Sequence, residues 1–351
     1  MNKPEISVVI PLYNREEYIV ETLNSILKQN FYDFELILIN DGSTDRSEEI
    51  VKPFLKDKRV KYIYHKNIGE VETVNKGWAL ANGKYFTQIN SDDPILPGLF
   101  TEMVKAMNQN PKMLVAYSDF NIIDKNGKLV NKIKNSEWDF KNALTTFSCF
   151  AAAPGAFIRR SAFKDLVKLK DKRFRYISDV KMYWNMSLRG PFLYIPQTLS
   201  TWRSHGKGIS NERYKSIPEI EILFHEFFSK PDIPKEIFKY KNLTRLAICR
   251  YIISLAENSN PVDKVQILNT YQETKDYLEQ IQTLEDNYLK EKKELDNLIE
   301  DNLKLNKEYT SLYESESVNL IRNLKKHPLI YKTSKSIYSL LKNSSKLFSK
   351  K

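Results

Sequence analysis

The feature that most constrains the fold is a regular alternation of short apolar runs with helical patterns through residues 1–120. The apolar runs are typical of buried strands and lie at residues 6–10, 35–39, 60–64 and 85–89. Helical spacing separates them at residues 16–29, from about residue 43 onwards, and at residues 69–81. Strands separated by helices of this length predict right-handed βαβ units and a mainly parallel sheet. The sequence therefore indicates an α/β fold.

A polar residue follows each of the first four predicted strands. These residues are Asn14, Asp41, Asn67 and Asp92. In open parallel sheets, ligands bind beyond the carboxyl ends of the strands. We therefore predict that these four side chains lie in one ligand site at that edge of the sheet.

Two adjacent carboxylates follow the fourth strand, in the segment Asn90-Ser-Asp-Asp93. Carboxylates left unpaired at the end of a buried strand are energetically costly. A hard divalent cation shared with phosphate oxygens would remove this cost, because such cations prefer oxygen ligands. We predict Asp92 as the main metal ligand and Asp93 as a second candidate. The alternative for Asp93 is that it caps the following helix.

Three further side chains have both a functional and a structural interpretation. Asp41, in the turn DGSTD at residues 41–45, is suited to accept hydrogen bonds from a base or a ribose, although such turns often only cap a helix. Asp179 opens a predicted helix at 179–189, where a carboxylate usually interacts with the helix dipole. His205 lies in a polar loop. A single histidine is more often structural, but beside a diphosphate it can bind a metal or a phosphate.

Several motifs, in this order and spacing, resemble the family 2 inverting glycosyltransferases with the GT-A fold. The resemblance covers about residues 5–210 and rests on VVIPLYN (8–14), NDGSTD (40–45), NIG (67–69), NKG (75–77), NSDD (90–93), residues 154–160, SD (178–179) and WRSH (202–205). It implies a Rossmann-like, mostly parallel sheet flanked by helices. It also implies a metal-dependent enzyme that moves a sugar, with inversion, from a nucleotide-sugar donor to a hydroxyl of a glycan or lipid-linked glycan acceptor. UDP is the nucleotide expected from the habit of the family, and the pathway is bacterial surface-polysaccharide synthesis.

The same resemblance assigns roles to individual residues. The nucleotide-sugar site would be formed by Pro11, Tyr13, Asn14, Asp41, Asn67, Lys76, Asn90, Ser91 and Asp92. A divalent cation, Mn²⁺ or Mg²⁺, would be held by Asp92, Asp93 and His205, and Asp179 would be the general base. Two positions depart from the family pattern. Asn90 replaces the first Asp of the D-x-D motif, which removes a charge, and Ser178 replaces the usual Glu before the base.

The sequence divides into four parts with different patterns. They are a catalytic domain (1–215), a helical extension (216–260), a coiled-coil-like helix (261–316) and a basic amphipathic tail (317–351). Heptad spacing in the third part predicts a homodimer, and a long helix folded back on the catalytic domain is the alternative. The whole chain has a net charge of +11. The tail holds nine Lys and Arg and no acid, so the remaining residues have a net charge of only +2. Its apolar and basic residues favour binding to an anionic membrane surface over a solvated tail or a nucleic acid partner.

The remaining features limit the location and the competing functions. No signal peptide and no run of about 18 to 20 apolar residues is found in the sequence, so we expect a cytoplasmic protein that is peripheral at the inner face of the cell membrane. Cys149 and Cys249 are expected to be ordinary thiols.

The loop after the first strand, PLYNR at 11–15, contains no glycine, which argues against nucleotidyltransferases and dehydrogenases. A non-catalytic coiled-coil scaffold with a degenerate nucleotide-sugar site is the remaining alternative.

Overall fold

One mixed sheet of eight strands forms the centre of the computed structural model, which describes residues 3–147, 154–163, 169–206 and 215–257. The strands in these ranges are β1 (Ile6–Leu12), β2 (Phe34–Asp41), β3 (Val60–His65), β4 (Tyr85–Gln88), β5 (Val115–Asp124), β6 (Leu129–Ile133), β7 (Phe157–Arg159) and β8 (Phe192–Ser204). The α-helices are α1 (Ile19–Leu27), α2 (Ser47–Val51), α3 (Glu70–Leu80), α4 (Leu99–Gln109), α5 (Phe140–Thr146), α6 (Ser178–Ser187), α7 (Ile217–Phe228), α8 (Lys235–Phe238) and α9 (Lys241–Glu257).

The strand order β3-β2-β1-β4-β7-β5-β6 brings the polar strand ends together. β1 lies between β2 and β4 and pairs in parallel with both, and β2 pairs in parallel with β3. β7 pairs antiparallel with β4 and β5, β6 pairs antiparallel with β5, and β8 pairs in parallel along β5. Because β1 to β4 run in the same direction, their carboxyl ends share one edge of the sheet. The predicted α/β fold with flanking helices is confirmed.

The side chains of β1 alternate between two hydrophobic clusters, one on each face of the sheet. Val8 and Ile10 belong to a cluster with the buried faces of α1 and α4. Val9 belongs to the other cluster, together with Val74 and Trp78 of α3. Strands that are buried on both faces require apolar residues at successive positions, which is why β1 is a continuous apolar run in the sequence.

The region after β2 differs from the sequence prediction. The helix expected from about residue 43 begins at Ser47, where the carboxylate of Asp45 accepts a hydrogen bond from the Ser47 N–H at 2.9 Å. It ends at Val51 and continues as a 3-10 turn over Lys52–Lys56. Pro53 lies in this turn, and a proline within an α-helix removes a hydrogen bond and clashes with the preceding turn. The predicted helices at 69–81 and 179–189 are present as α3 and α6.

The C-terminal segments are described only in part. Contacts divide the chain into two compact units, Met1–Tyr251 and Ile252–Lys351, and of the second unit only the end of α9 is described. The predicted coiled coil (261–316), the basic tail (317–351) and Cys149 lie outside the described residues, whereas Cys249 is a buried free thiol. Within the described ranges, no helix has both the length and the apolar character needed to cross a membrane.

Candidate active site

Asn14 connects the loop after β1 to the turn after β2 through hydrogen bonds. Its backbone has φ of 49°, a left-handed conformation that Asn tolerates better than most residues. Its side-chain Oδ1 accepts a hydrogen bond from the Thr44 N–H at 2.8 Å, and its backbone N–H donates to Ser43 Oγ at 3.2 Å. Tyr13, immediately before it, is 43% exposed, and Pro11 is buried within β1. The two loops predicted to hold the nucleotide are therefore joined.

Asp41 and Asn67 also lie together, at the end of β2 and after β3. The buried Asp41 carboxylate accepts hydrogen bonds from the Ile68 N–H at 2.7 Å and the Gly69 N–H at 3.1 Å, and Asn67 Nδ2 donates to the Asp41 carbonyl at 3.0 Å. Asp41 thus shapes the loop that leads into α3, in addition to any ligand contact. Lys76 is exposed on α3, outside this hydrogen-bonded group.

Asp92 and His205, which the sequence analysis predicts as metal ligands, are adjacent. His205 Nε2 lies 2.9 Å from Asp92 Oδ2, and its ring stacks on Tyr18 with centroids 5.1 Å apart. Arg15, which the sequence analysis did not single out, donates from Nε to the same Asp92 oxygen at 2.8 Å. The Asp92 carboxylate is therefore held between two nitrogen groups from different parts of the chain.

Asp93 is more deeply buried than Asp92, whose side chain is 13% exposed. Asp93 is 2% exposed, and its carboxylate accepts hydrogen bonds from the Arg203 N–H at 2.7 Å and from Asn90 Nδ2 at 2.9 Å. Burial, and then the neighbouring charge of Asp92, raises the pKa of Asp93 to about 8. This placement indicates a structural role for Asp93, although not the predicted one of capping the following helix, because α4 begins at Leu99 with Gly98 as its N-cap. Ser91, between Asn90 and Asp92, is also buried.

Arg203 holds the loop that carries both carboxylates. Its side chain is 1% exposed, and its Nε donates to the Asp92 carbonyl at 2.9 Å. The other guanidinium nitrogens donate to the Asp124 carbonyl at 3.2 Å and to Glu21 Oε2 at 2.5 Å. Together with its backbone N–H, Arg203 thus binds both Asp92 and Asp93. The sequence showed this residue only as a member of the WRSH motif.

Asp179 lies at the start of α6, as predicted. Its side chain is exposed to solvent although many protein atoms surround it. Burial raises the pKa of its carboxyl, the positive charge of Lys170 opposes this rise, and the negative charge of Glu70 adds to it. A carboxyl with a raised pKa is suited to accept a proton near neutral pH.

A series of hydrogen bonds connects the surroundings of Asp179 with the Asp92 loop. It runs through the side chains of Lys170, Glu70, Gln88, Asn90 and Asp93. The donor–acceptor distances along it lie between 2.7 and 2.9 Å. Lys170 is 6% exposed, so its ion pair with Glu70 is largely shielded from solvent on that side. The series therefore ends at Lys170, whose positive charge acts on Asp179, and at Asp93, which is next to Asp92 in the chain.

Within the described residues, no group of three or more His, Cys, Asp and Glu side chains is arranged to hold a metal ion. The pair that the structure does bring together, Asp92 and His205, offers one carboxylate and one imidazole. Both are suitable ligands for Mn²⁺, and a carboxylate is suitable for Mg²⁺, provided that oxygens of a bound diphosphate complete the coordination.

We expect Arg203→Lys to lower the free energy of unfolding by about 1–3 kcal/mol, because lysine cannot serve the separated acceptors and leaves buried carbonyls without donors. Denaturation with urea measures this change. Glu49→Gln is the control, since Glu49 and its partner Arg46 are 66% and 70% exposed and pairs of that kind contribute about 0–1 kcal/mol. Equal stability of Arg203→Lys and the wild type would show that the loop does not depend on this guanidinium.

Comparison with known families identifies the region that contains most of this site. The family model described as "Glycosyl transferase family 2" matches residues 7–167. An uncharacterized glycosyltransferase of Haemophilus influenzae is 28% identical over 64% of this chain and 75% of its own length. An uncharacterized glycosyltransferase of Rickettsia bellii is 30% identical over 58% of this chain. The chain spans only 29% of the length of that second relative.

Two solved structures have a similar fold. TarS 1–349 of S. aureus in complex with UDP-GlcNAc superposes with a TM-score of 0.57 and 19% identity, over 76% of this chain and 80% of that one. The mannosyltransferase PcManGT of Pyrobaculum calidifontis, in complex with GDP-Man and Mn²⁺, superposes with a TM-score of 0.50 and 16% identity, over 77% of this chain and 80% of that one. The described region therefore has the GT-A fold that the sequence predicted.

Proposed function

We propose that the protein is a family 2 glycosyltransferase that transfers a sugar from a UDP-sugar donor to a hydroxyl of a glycan or glycolipid acceptor, because the model of that family matches residues 7–167. The observation that supports the proposal best is the series of hydrogen bonds from Lys170, whose charge acts on Asp179, to Asp93, which is next to Asp92 of the Asp92–His205 pair. One end suits a diphosphate and its cation, and the other suits the acceptor hydroxyl. The complex of TarS with UDP-GlcNAc supports UDP as the nucleotide.

We place the divalent cation, Mn²⁺ or Mg²⁺, at Asp92 and His205. When bound, such a cation neutralises the charge that develops on the leaving diphosphate. Arg15 lies on the same carboxylate oxygen and adds positive charge to the place where the diphosphate would lie. Asp93, which is bound to the Arg203 N–H and to Asn90, would orient the loop without contacting the cation. The Mn²⁺ complex of PcManGT, which has a similar fold, supports the use of a divalent cation.

Asp179 would act as the general base in a single displacement with inversion. Its carboxylate accepts the proton of the acceptor hydroxyl as the acceptor oxygen forms a bond to the anomeric carbon. The bond from that carbon to the diphosphate oxygen breaks in the same step, through a transition state with oxocarbenium character. The raised pKa of Asp179 makes it a stronger base than an ordinary aspartate.

The acceptor and the location follow from the sequence. The family resemblance supports a lipid-linked glycan in bacterial surface-polysaccharide synthesis as the acceptor. We propose that the basic tail, residues 317–351, holds the protein at the anionic inner face of the cell membrane, and that residues 261–316 form a homodimer. Both segments would keep the active site close to an acceptor embedded in that membrane.

Titration calorimetry with UDP, GDP, CDP and dTDP, each with and without Mn²⁺ or Mg²⁺, tests the donor. We expect UDP to bind most tightly and only in the presence of a cation. Asp92→Ala should abolish the metal-dependent part of UDP binding because it removes the carboxylate ligand. Asp57→Ala is a control, since Asp57 pairs with Arg59 away from the site. Absence of binding by any nucleotide, with either metal, would favour the non-catalytic scaffold.

Asp179→Asn should leave the affinity for UDP within about twofold of wild type and lower kcat about 10²- to 10⁴-fold, which is the usual contribution of a general base. Asparagine has a similar shape but accepts no proton. Steady-state transfer assays and UDP calorimetry measure the two quantities separately. If the kcat of Asp179→Asn is close to that of the wild type, another residue is the general base.

Lys170→Met should shift the acidic limb of the kcat/KM profile to higher pH. The base must be ionised to act, and the positive charge of Lys170 favours its ionised form, so loss of that charge raises the pKa of Asp179 further. Lys172→Met is the control, because Lys172 is 73% exposed and pairs with Glu72. An unchanged limb, or a shift to lower pH, would assign the limb to another group.

A further inference from the structure

A single carboxylate on α7 binds the backbone that leads to Asp179. Glu219 Oε1 accepts a hydrogen bond from the Arg175 N–H at 2.7 Å, and Oε2 accepts from the Tyr176 N–H at 2.8 Å and the Ile177 N–H at 3.1 Å. Three successive N–H groups thus converge on one charged acceptor. Hydrogen bonds to a charged group are shorter and roughly twice as strong as neutral ones.

The position of these bonds matters because the segment precedes the first turn of α6. Backbone N–H groups at the start of a helix have no partner within the helix and are usually bound by the side chain of the N-cap residue. The N-cap of α6 is Ile177, whose side chain makes no such bond. Glu219 instead binds the N–H of this N-cap residue and of the two residues before it, so it holds the backbone that enters α6. Asp179 follows Ile177 by two residues.

A second set of contacts holds the same segment against α7. Glu226 forms ion pairs with Arg173 and Lys181, both at 2.5 Å, and Asp171 pairs with the same two cations at 2.6 Å. Although burial acts in the opposite direction, the hydrogen bonds from Arg173 and Lys181 hold the pKa of Asp171 well below its usual range. Arg173 is 57% exposed, so we regard the three backbone bonds to Glu219 as the stronger anchor.

We propose that α7 is part of the catalytic unit and that Glu219 is a positioning residue for the base. By fixing the backbone at residues 175–177, Glu219 sets where the Asp179 carboxylate stands relative to the acceptor hydroxyl. This inference rests on the proposed role of Asp179. It extends the functional unit beyond residue 215, where the sequence analysis placed the end of the catalytic domain, because Glu219 lies in the predicted helical extension.

The test uses Glu219→Ala and Glu219→Gln in the full chain. Misplacing a catalytic group by about 1 Å costs up to about 10²-fold in rate, so Glu219→Ala should lower kcat tenfold to a hundredfold. Glu219→Gln should have an intermediate kcat because its amide oxygen still accepts hydrogen bonds. The Kd for UDP should stay within twofold in both variants, because α7 contributes no residue to the proposed nucleotide site. Thermal denaturation confirms that each variant is folded.

Matched controls separate positioning from a loss of stability. Glu221→Ala removes a carboxylate from the same helix, one that pairs with Arg245 instead of the base segment, and should keep wild-type kcat in its folded fraction. In an Asp179→Asn background, Glu219→Ala should lower kcat no further, since the two residues act through the same proton transfer.

Three outcomes overturn the inference. They are wild-type kcat in Glu219→Ala, an equal loss of kcat in Glu221→Ala, and a full further loss in the Asp179→Asn background. A wild-type protein without transferase activity overturns the proposed function and this inference together. An active wild type with an unaffected Glu219→Ala variant overturns only the inference.

Discussion

The arrangement of the candidate site depends on one buried guanidinium group. Arg203 binds the carbonyl of Asp92 with its side chain and the carboxylate of Asp93 with its backbone N–H. It lies near the end of β8, which pairs along the length of β5, so the loop after β4 is fixed by a strand from the other side of the sheet. A buried cation is tolerated only when its donors are satisfied, and Arg203 achieves this with carbonyl oxygens and Glu21.

This arrangement gives the two adjacent carboxylates different surroundings. Asp93 is buried against protein donors and serves the structure, while Asp92 faces Arg15 and His205. Groups that are fixed before a ligand arrives need little reorganisation when charge develops, and this is a large part of what an active site contributes. Two adjacent residues of the same type can therefore have different roles, because each contacts different side chains and backbone groups.

The sequence predicts those parts of the structure that depend on local patterns. The strands β1 to β4, the helices between them and the polar residues that follow the strands all result from periodicity and from the direction of a parallel sheet. The contacts of Asp93 with Arg203, of Lys170 with Glu70 and of Glu219 with Ile177 join residues that are between 42 and 110 positions apart in the chain. No periodic pattern encodes such pairs. For that reason the orientation of Asp93 and the anchoring of the base segment emerge only in three dimensions.

The series of side chains from Lys170 to Asp93 also constrains how this protein can evolve. Each member donates to or accepts from the next, so a change of Glu70 alone would remove the acceptor of Lys170 and one of the two acceptors of Gln88. Substitutions within such a series are not additive, because the effect of one depends on which residue stands beside it. Divergence here is expected to proceed by compensated pairs, and homologues should show correlated identities at positions 70 and 170. Whether a mutation near Lys170 is tolerated thus depends on which residues are present near Asp93, at the other end of the series.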